Sequence, residues 1–293
     1  MPAFLRLRPD LPVCWESPDT LRVGFERAYA RIVSPSAGQQ RLLGALRTGF
    51  AAADLPQVAR RTGVTLQEAR ALLSAVERAC LPRTEPVHAL PTVPRSALPP
   101  QLFIDDAGRP VPGFAGALTH GVGSTVVWST KAPGAGEGEV HVADGGTGAD
   151  TAPALVVFVE RFLEPLERAQ RWLVAGIPHL LVRLTDTRAS VGPIVAPPGA
   201  PCHTCITLAV LEADPGASVL AAQLVESTPA SETAAVGVLA AALTVQFIDA
   251  WFRGESRVHG TRVSFEVEAG HPRGTLEEHE LSAHPECGCG GFR

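Results

Sequence analysis

Six cysteines are spread over 293 residues, and four of them fall into two short pairs. Cys202 and Cys205 form a C-x-x-C inside "PCHTC", and Cys287 and Cys289 form a C-x-C inside "HPECGCGG". Thiolates at such spacings, in turns rich in Gly and Pro, present two ligands to one soft metal ion. Each pair is half a site. Together they supply four thiolates, the donor set of a closed, tetrahedral structural zinc site with no position left for substrate. The metal would then tie the end of the chain back onto a segment more than 80 residues upstream. His203 and His284 stand beside the pairs as substitute ligands. Cys14 and Cys80 fall in a strand pattern and at a helix end, and read as core residues.

Other chemistry is sparse. The sequence has no H-E-x-x-H, no G-x-S-x-G and no P-loop. Lys131 is the only lysine, so lysine chemistry has one candidate. Nothing near Cys14 would activate it as a nucleophile. His120, His141 and His179 are isolated and read as surface or turn residues. A nucleotide fingerprint would follow the strand-like "LFIDD", but "DDAGRPVPG" stands there. Laid over G-x-G-x-x-G, it keeps Gly108 and puts Asp106 and Val111 where glycines belong. A carboxylate there repels phosphate, and Pro110 and Pro112 lack N–H donors. No bound ATP is expected. "GVGST" at 121–125 reads as a junction between helix and strand.

Elements that would position these residues can be read on either side of a break. Residues 82–100, "PRTEPVHALPTVPRSALPP", carry six prolines and predict an extended linker. Before it, "PVCWE", "LRVGFE" and "YARIVSP" predict a meander of three short antiparallel strands. "SAGQQRLLGALRTG" has helical spacing after Ser36 and stops at Gly49. In "DLPQVARRTGVTLQEARALLSAVERACL", Asp54 is placed to cap a helix with Pro56 in its first turn. Gly63 breaks that helix, and Thr65 with Glu68 makes a capping box for the next. Helix, Gly-containing turn, helix is a helix-turn-helix signature.

After the linker the pattern is strand and helix in series. "PQLFIDD", "STVVWST", "ALVVFVE" and "PHLLVRLT" read as strands, "PGFAGALTHG" and "PLERAQRWLVAG" as helices. That order argues for a parallel sheet with helices on its faces. "APGAGEGEVHVADGGTGAD" (132–150) reads as a loop in which "EVHVA" can form a short strand. Ala234 to Phe252 is long and apolar enough to span a membrane but contains Gln246 and Asp249. It predicts a buried helix between the sheet and either the zinc loop or a second copy of the chain.

Composition narrows the class. Hydrophobic residues make up 45%, and the formal charge is −5. That charge argues against a general nucleic-acid binder, and the last helix of the helix-turn-helix sets Arg70 and Arg78 against Glu68 and Glu77. "MPAFLRLRPD" lacks the apolar run of a secretory signal. A reducing, cytoplasmic setting is expected, where paired cysteines bind metal.

The meander and helix-turn-helix at 12–81 resemble the winged-helix peptide-binding element of ribosomal-peptide modification systems. Residues 100–293 are similar to the ThiF-like, ubiquitin-activating-type fold. The run "AGIPHLLVRLTDTRASVGPIVAPPGAPCHTC", the long helix and "HPECGCGG" carry that likeness, in particular to partner proteins of YcaO-type cyclodehydratases. The resemblance implies an α/β chain in three parts. These are a winged helix-turn-helix of three strands and three helices (1–82), a linker (83–99) and a reduced Rossmann-like domain with a four-cysteine zinc site (100–293). It implies a non-catalytic adaptor that binds the leader of a precursor peptide and presents the core to a separate, ATP-using subunit for thiazoline or oxazoline formation. The leader would add a strand along Tyr29, Ala30, Arg31, Ile32 and Val33, facing Arg70, Leu73, Ser74 and Glu77 of the last helix. Arg31, Arg70 and Glu77 would read charge. Leu73 and Val76 are either pocket or core. A homodimer is expected; nucleic acid and membrane are not. The competing readings are an adenylating enzyme and a zinc-stabilised DNA-binding regulator.

Overall fold

The structure, a computed structural model, describes residues 4–80, 102–122, 126–129, 140–142, 153–196 and 201–291. The Pro-rich stretch 83–99 lies outside the described residues, and so does most of the Gly-rich 132–150. The chain divides into two compact units, one of residues 1–91 with 216–225 and one of residues 92–215 with 226–293.

In the first unit, β2 (Val13–Ser17), β3 (Thr20–Val23) and β4 (Ala30–Val33) form an antiparallel sheet in that order. Three helices follow: α1 (Ala37–Thr48), α2 (Leu55–Thr62) and α3 (Leu66–Ala75). Local chemistry sets their ends. Ser36 and Gln39 form a capping box on α1, and Thr65 and Glu68 form one on α3. Gly63, left-handed at φ 75°, stops α2. Asp54 stands at the start of α2 but makes no side-chain cap, because a short 3-10 turn (Ala52–Asp54) already leads into the helix. Two-residue strands β1 (Phe4–Leu5) and β5 (Phe50–Ala51) pair beside the helices. Leu42, Leu46, Val23 and Val76 lie in a core closed between sheet and helices. A further helix, α7 (Ala217–Gln223), belongs to this unit although it lies far along the chain.

The second unit is built on an eight-stranded sheet. Its strands are β6 (Leu102–Asp105), β7 (Val126–Ser129), β8 (Val140–Val142), β9 (Leu155–Arg161), β10 (His179–Leu184), β11 (Arg188–Val195), β12 (Thr261–Glu268) and β13 (His271–Glu280). Their spatial order is β13-β12-β11-β10-β9-β6-β7-β8. β7, β6, β9 and β10 run parallel, as the strand–helix series requires, while β11 to β13 and β8 add antiparallel margins. Alternation along β9 divides the faces. Leu155, Val157 and Val159 meet α4 (Phe114–Val122) and α8 (Ala234–Phe252). Val156 and Phe158 meet α5 (Glu167–Val174) and α6 (His203–Ala213). α8 has the span read from the sequence. By length and composition it could cross a membrane, yet half of that apolar window is buried, packed on α4 and the sheet. Gly237 lets it close on the turn before α4, where an added Cβ would meet the Pro112 carbonyl oxygen at 2.1 Å.

Candidate functional site

The four cysteines come together. Cys202 caps α6 and Cys205 lies in its first turn, both buried, while Cys287 and Cys289 return on the chain's last turns. Cys202 Sγ is 3.8 Å from Cys205 Sγ and 3.6 Å from Cys287 Sγ, and Cys205 Sγ is 3.2 Å from Cys289 Sγ. All four sulphurs lie within 4.8 Å of one another. These separations exceed an S–S bond, and all four residues are free cysteines. A tetrahedron with Zn–S bonds of ~2.3 Å has edges of about 3.8 Å, so the quartet could hold a metal ion and suits structural zinc. Without a metal the thiols are pushed apart in acidity. Burial raises the Cys205 thiol, but the N–H groups of His284 and Cys202 outweigh it and bring the thiol down to about 7. Burial and the neighbouring sulphurs hold Cys289 up, and burial raises Cys287. A cation at the centre would lower all four and hold them as thiolates.

Neither histidine joins the quartet. His284 Nε2 faces Glu212 Oε2 at 3.3 Å. His203, 3% exposed, turns under α6 so that Nε2 lies 3.4 Å from Glu160 Oε1. Glu160 has no exposed surface, and its Oε2 accepts from Arg183 Nε at 2.6 Å. Burial alone would raise the Glu160 carboxyl, but Arg183 and His203 hold it at about 2. The pair begins a polar row that crosses five strands in register: Glu160, Arg183, Ser190, Ser264 and Glu277. His179, read from sequence as a surface or turn residue, lies on the same sheet face, 1% exposed, edge-on to Phe158. Alternation in "PHLLVRL" puts residues 179, 181 and 183 on one face; the error was to treat a histidine at a strand start as solvated.

In the first unit the two margins of the three-stranded sheet differ. The Gln223 side chain of α7 grips the main chain of β2: Trp15 N–H donates to Oε1 at 2.9 Å, and Nε2 donates to the Trp15 carbonyl at 2.5 Å. β4 forms the other margin, beside α3. Ala30 and Ile32 face the core, while Val33 is 68% exposed. Ser34 N–H donates to Asp19 O, which fixes the ladder's alternation and turns the main-chain groups of Val33 away from β3. Arg70 and Ser74 are exposed, four residues apart along α3. Glu77, also exposed, stands in a 3-10 turn beyond the helix, which ends at Ala75. Leu73 and Val76 are core residues. Arg31 lies on the face away from the helices, its guanidinium bound to Glu16 at 2.6 and 2.9 Å. The guanidinium groups of Arg8 and Arg27 both lie over the Tyr29 ring, 5.3 and 4.7 Å from its centroid. No sequence signal marked Gln223, which is 208 residues from its partner.

No protein-family model and no curated protein matches the chain. Among solved structures, a heterocyclase in complex with substrate and cofactor is similar at 16% identity and TM-score 0.45. The match covers 99% of this chain and 40% of that one, so this chain spans about two fifths of the heterocyclase. The E. coli microcin synthetase McbBCD complex is similar at 11% identity and TM-score 0.42, covering 97% of this chain and 99% of that one. E. coli MccB with ATP is similar at 16% identity and TM-score 0.32, covering 48% of this chain and 41% of that one.

Proposed function

We propose that this chain is a non-catalytic adaptor that binds the leader of a ribosomally made precursor peptide. It would present that peptide to a YcaO-type cyclodehydratase subunit, in the cytoplasm. The supporting observation is the asymmetry of the small sheet: β2 is gripped by Gln223, whereas β4 is a margin strand with outward main-chain groups at Val33. An extended peptide added there would gain main-chain hydrogen bonds, and Arg70, Ser74 and Glu77 would meet its side chains. In this reading the four cysteines hold one structural zinc, the nucleotide is used by the partner subunit, and the chain pairs with a second copy.

The test is fluorescence polarisation of the full chain with a labelled leader encoded beside its gene. Val33→Pro removes an outward donor while leaving the ladder to β3 in place. It should weaken leader binding about tenfold or more, at unchanged zinc content. Arg70→Glu should weaken an acidic leader. Leader binding that ignores Val33→Pro would place the site elsewhere, and no binding at all would end the adaptor reading.

A further inference from the structure

In an open sheet with parallel strands, ligands bind beyond the carboxyl ends of the strands, where successive connections leave to opposite faces. Here that point lies between β6 and β9. The helix after β6 is α4, on one face, and the helix after β9 is α5, on the other. Arg161 ends β9 and fills the crevice, with its side chain 1% exposed. Its Nη1 donates to the Asp106 carbonyl at 3.0 Å, and its Nη2 donates to the Arg109 carbonyl. Both carbonyls belong to the turn after β6. Asp106 Oδ1 in turn accepts the Gly108 N–H at 2.9 Å, so that donor is already used.

The anion in this crevice comes from the chain itself. Arg161 Nε and Nη2 bind the two oxygens of Glu232 at 2.6 and 2.8 Å, and the Glu232 side chain is 6% exposed. Glu232 immediately precedes Thr233, the N-cap of α8. The first turns of α8 press on the start of α4: a Cβ on Gly237 would lie 3.3 Å from Phe114 N. The N-terminus of α8, next to Glu232 in the chain, therefore adds its positive end to the buried guanidinium of Arg161. The nearby Arg109 is partly matched by Glu164 at 3.6 Å.

We propose that Glu232 is a built-in anion, seated where a phosphate-type ligand would otherwise sit, and that withdrawing its carboxylate opens a site for such an anion. The inference deepens the reading that this chain uses no nucleotide and rests on it. Isothermal titration of the full chain with pyrophosphate, against sodium chloride of equal ionic strength, tests it. The unaltered chain should show no saturable binding. Glu232→Ala should show saturable binding, about tenfold or more tighter than the weakest binding the titration detects, and Arg161→Met added to it should abolish it. If Glu232→Ala does not fold by circular dichroism, Glu232→Gln removes the charge and keeps the shape. Saturable pyrophosphate binding by the unaltered chain that Arg161→Met removes would overturn the inference. So would a folded Glu232 variant that gains no binding. ATP bound by the unaltered chain, with Arg161→Met without effect, would sink the no-nucleotide reading alone.

Discussion

His179 should make the second unit acid-sensitive. Burial, aided by the nearby His203, lowers its pKa from 6.5 to about 4, with the Ile177 carbonyl and Asp105 pulling the other way. A depressed group contributes stability that is complete above its unfolded value and fades as pH falls through the folded one. The window is therefore pH 6.5 down to about 4. Between pH 7 and pH 5 the unfolded chain takes up about three quarters of a proton at this position, while the folded chain stays almost neutral. Linkage then removes about 2 kcal/mol. Neither ring nitrogen makes a hydrogen bond of ordinary geometry, so His179→Leu gives up only the weak pull of the Ile177 carbonyl. It should be neutral or stabilising at pH 7. The assay is urea unfolding of both proteins at the two pH values, with zinc saturating so that proton competition at the thiolates cancels in the difference. The variant should lose about 2 kcal/mol less than the wild type between pH 7 and pH 5. Parallel losses would refute the reasoning, because they would mean that the folded protein protonates His179 as readily as the unfolded chain does.

The quartet should carry one zinc per chain by elemental analysis, and Cys289→Ser should lower both the metal content and the midpoint of thermal unfolding. Structural zinc is worth of order 10 kcal/mol in favourable small sites, which is an upper bound here. Arg183→Met should cost about 3–5 kcal/mol in chemical denaturation by stranding the Glu160 carboxylate, and adding Glu160→Gln should recover part of it. Gln223→Ala should raise hydrogen exchange at the Trp15 amide by about tenfold, one hydrogen bond's worth, with little change in global stability.

What the sequence made legible was what local rules decide. The helix start after Ser36, the capping box at Thr65, the stop at Gly63 and the apolar run of β9 depend on neighbours within a few residues, and each was readable in place. The cysteine quartet was readable despite its span, because thiolates at C-x-x-C and C-x-C spacing have few other uses. The antiparallel strands β11 to β13 were not read: "RASVGPIV" and "HPRGTLEEHE" carry Pro, Gly and charge that strand patterns disfavour, whereas the alternating "TRVSFEVE" of β12 was overlooked. They stand because neighbouring strands fix them. The grip of Gln223 on Trp15 and the pair of Arg161 with Glu232 were equally hidden. Each joins ordinary polar residues far apart in the chain, and only the fold makes them neighbours.

The placement of α7 has a consequence for synthesis. The first unit is discontinuous: residues 1–91 leave the ribosome without the segment 216–225 that covers the Trp15 margin. Residues 92–215 must be made in between, and at ~5–20 residues per second that takes on the order of ten seconds. For that interval the nascent small sheet offers its β2 margin, as well as β4, to any extended segment that passes, including strands of the unfinished second unit.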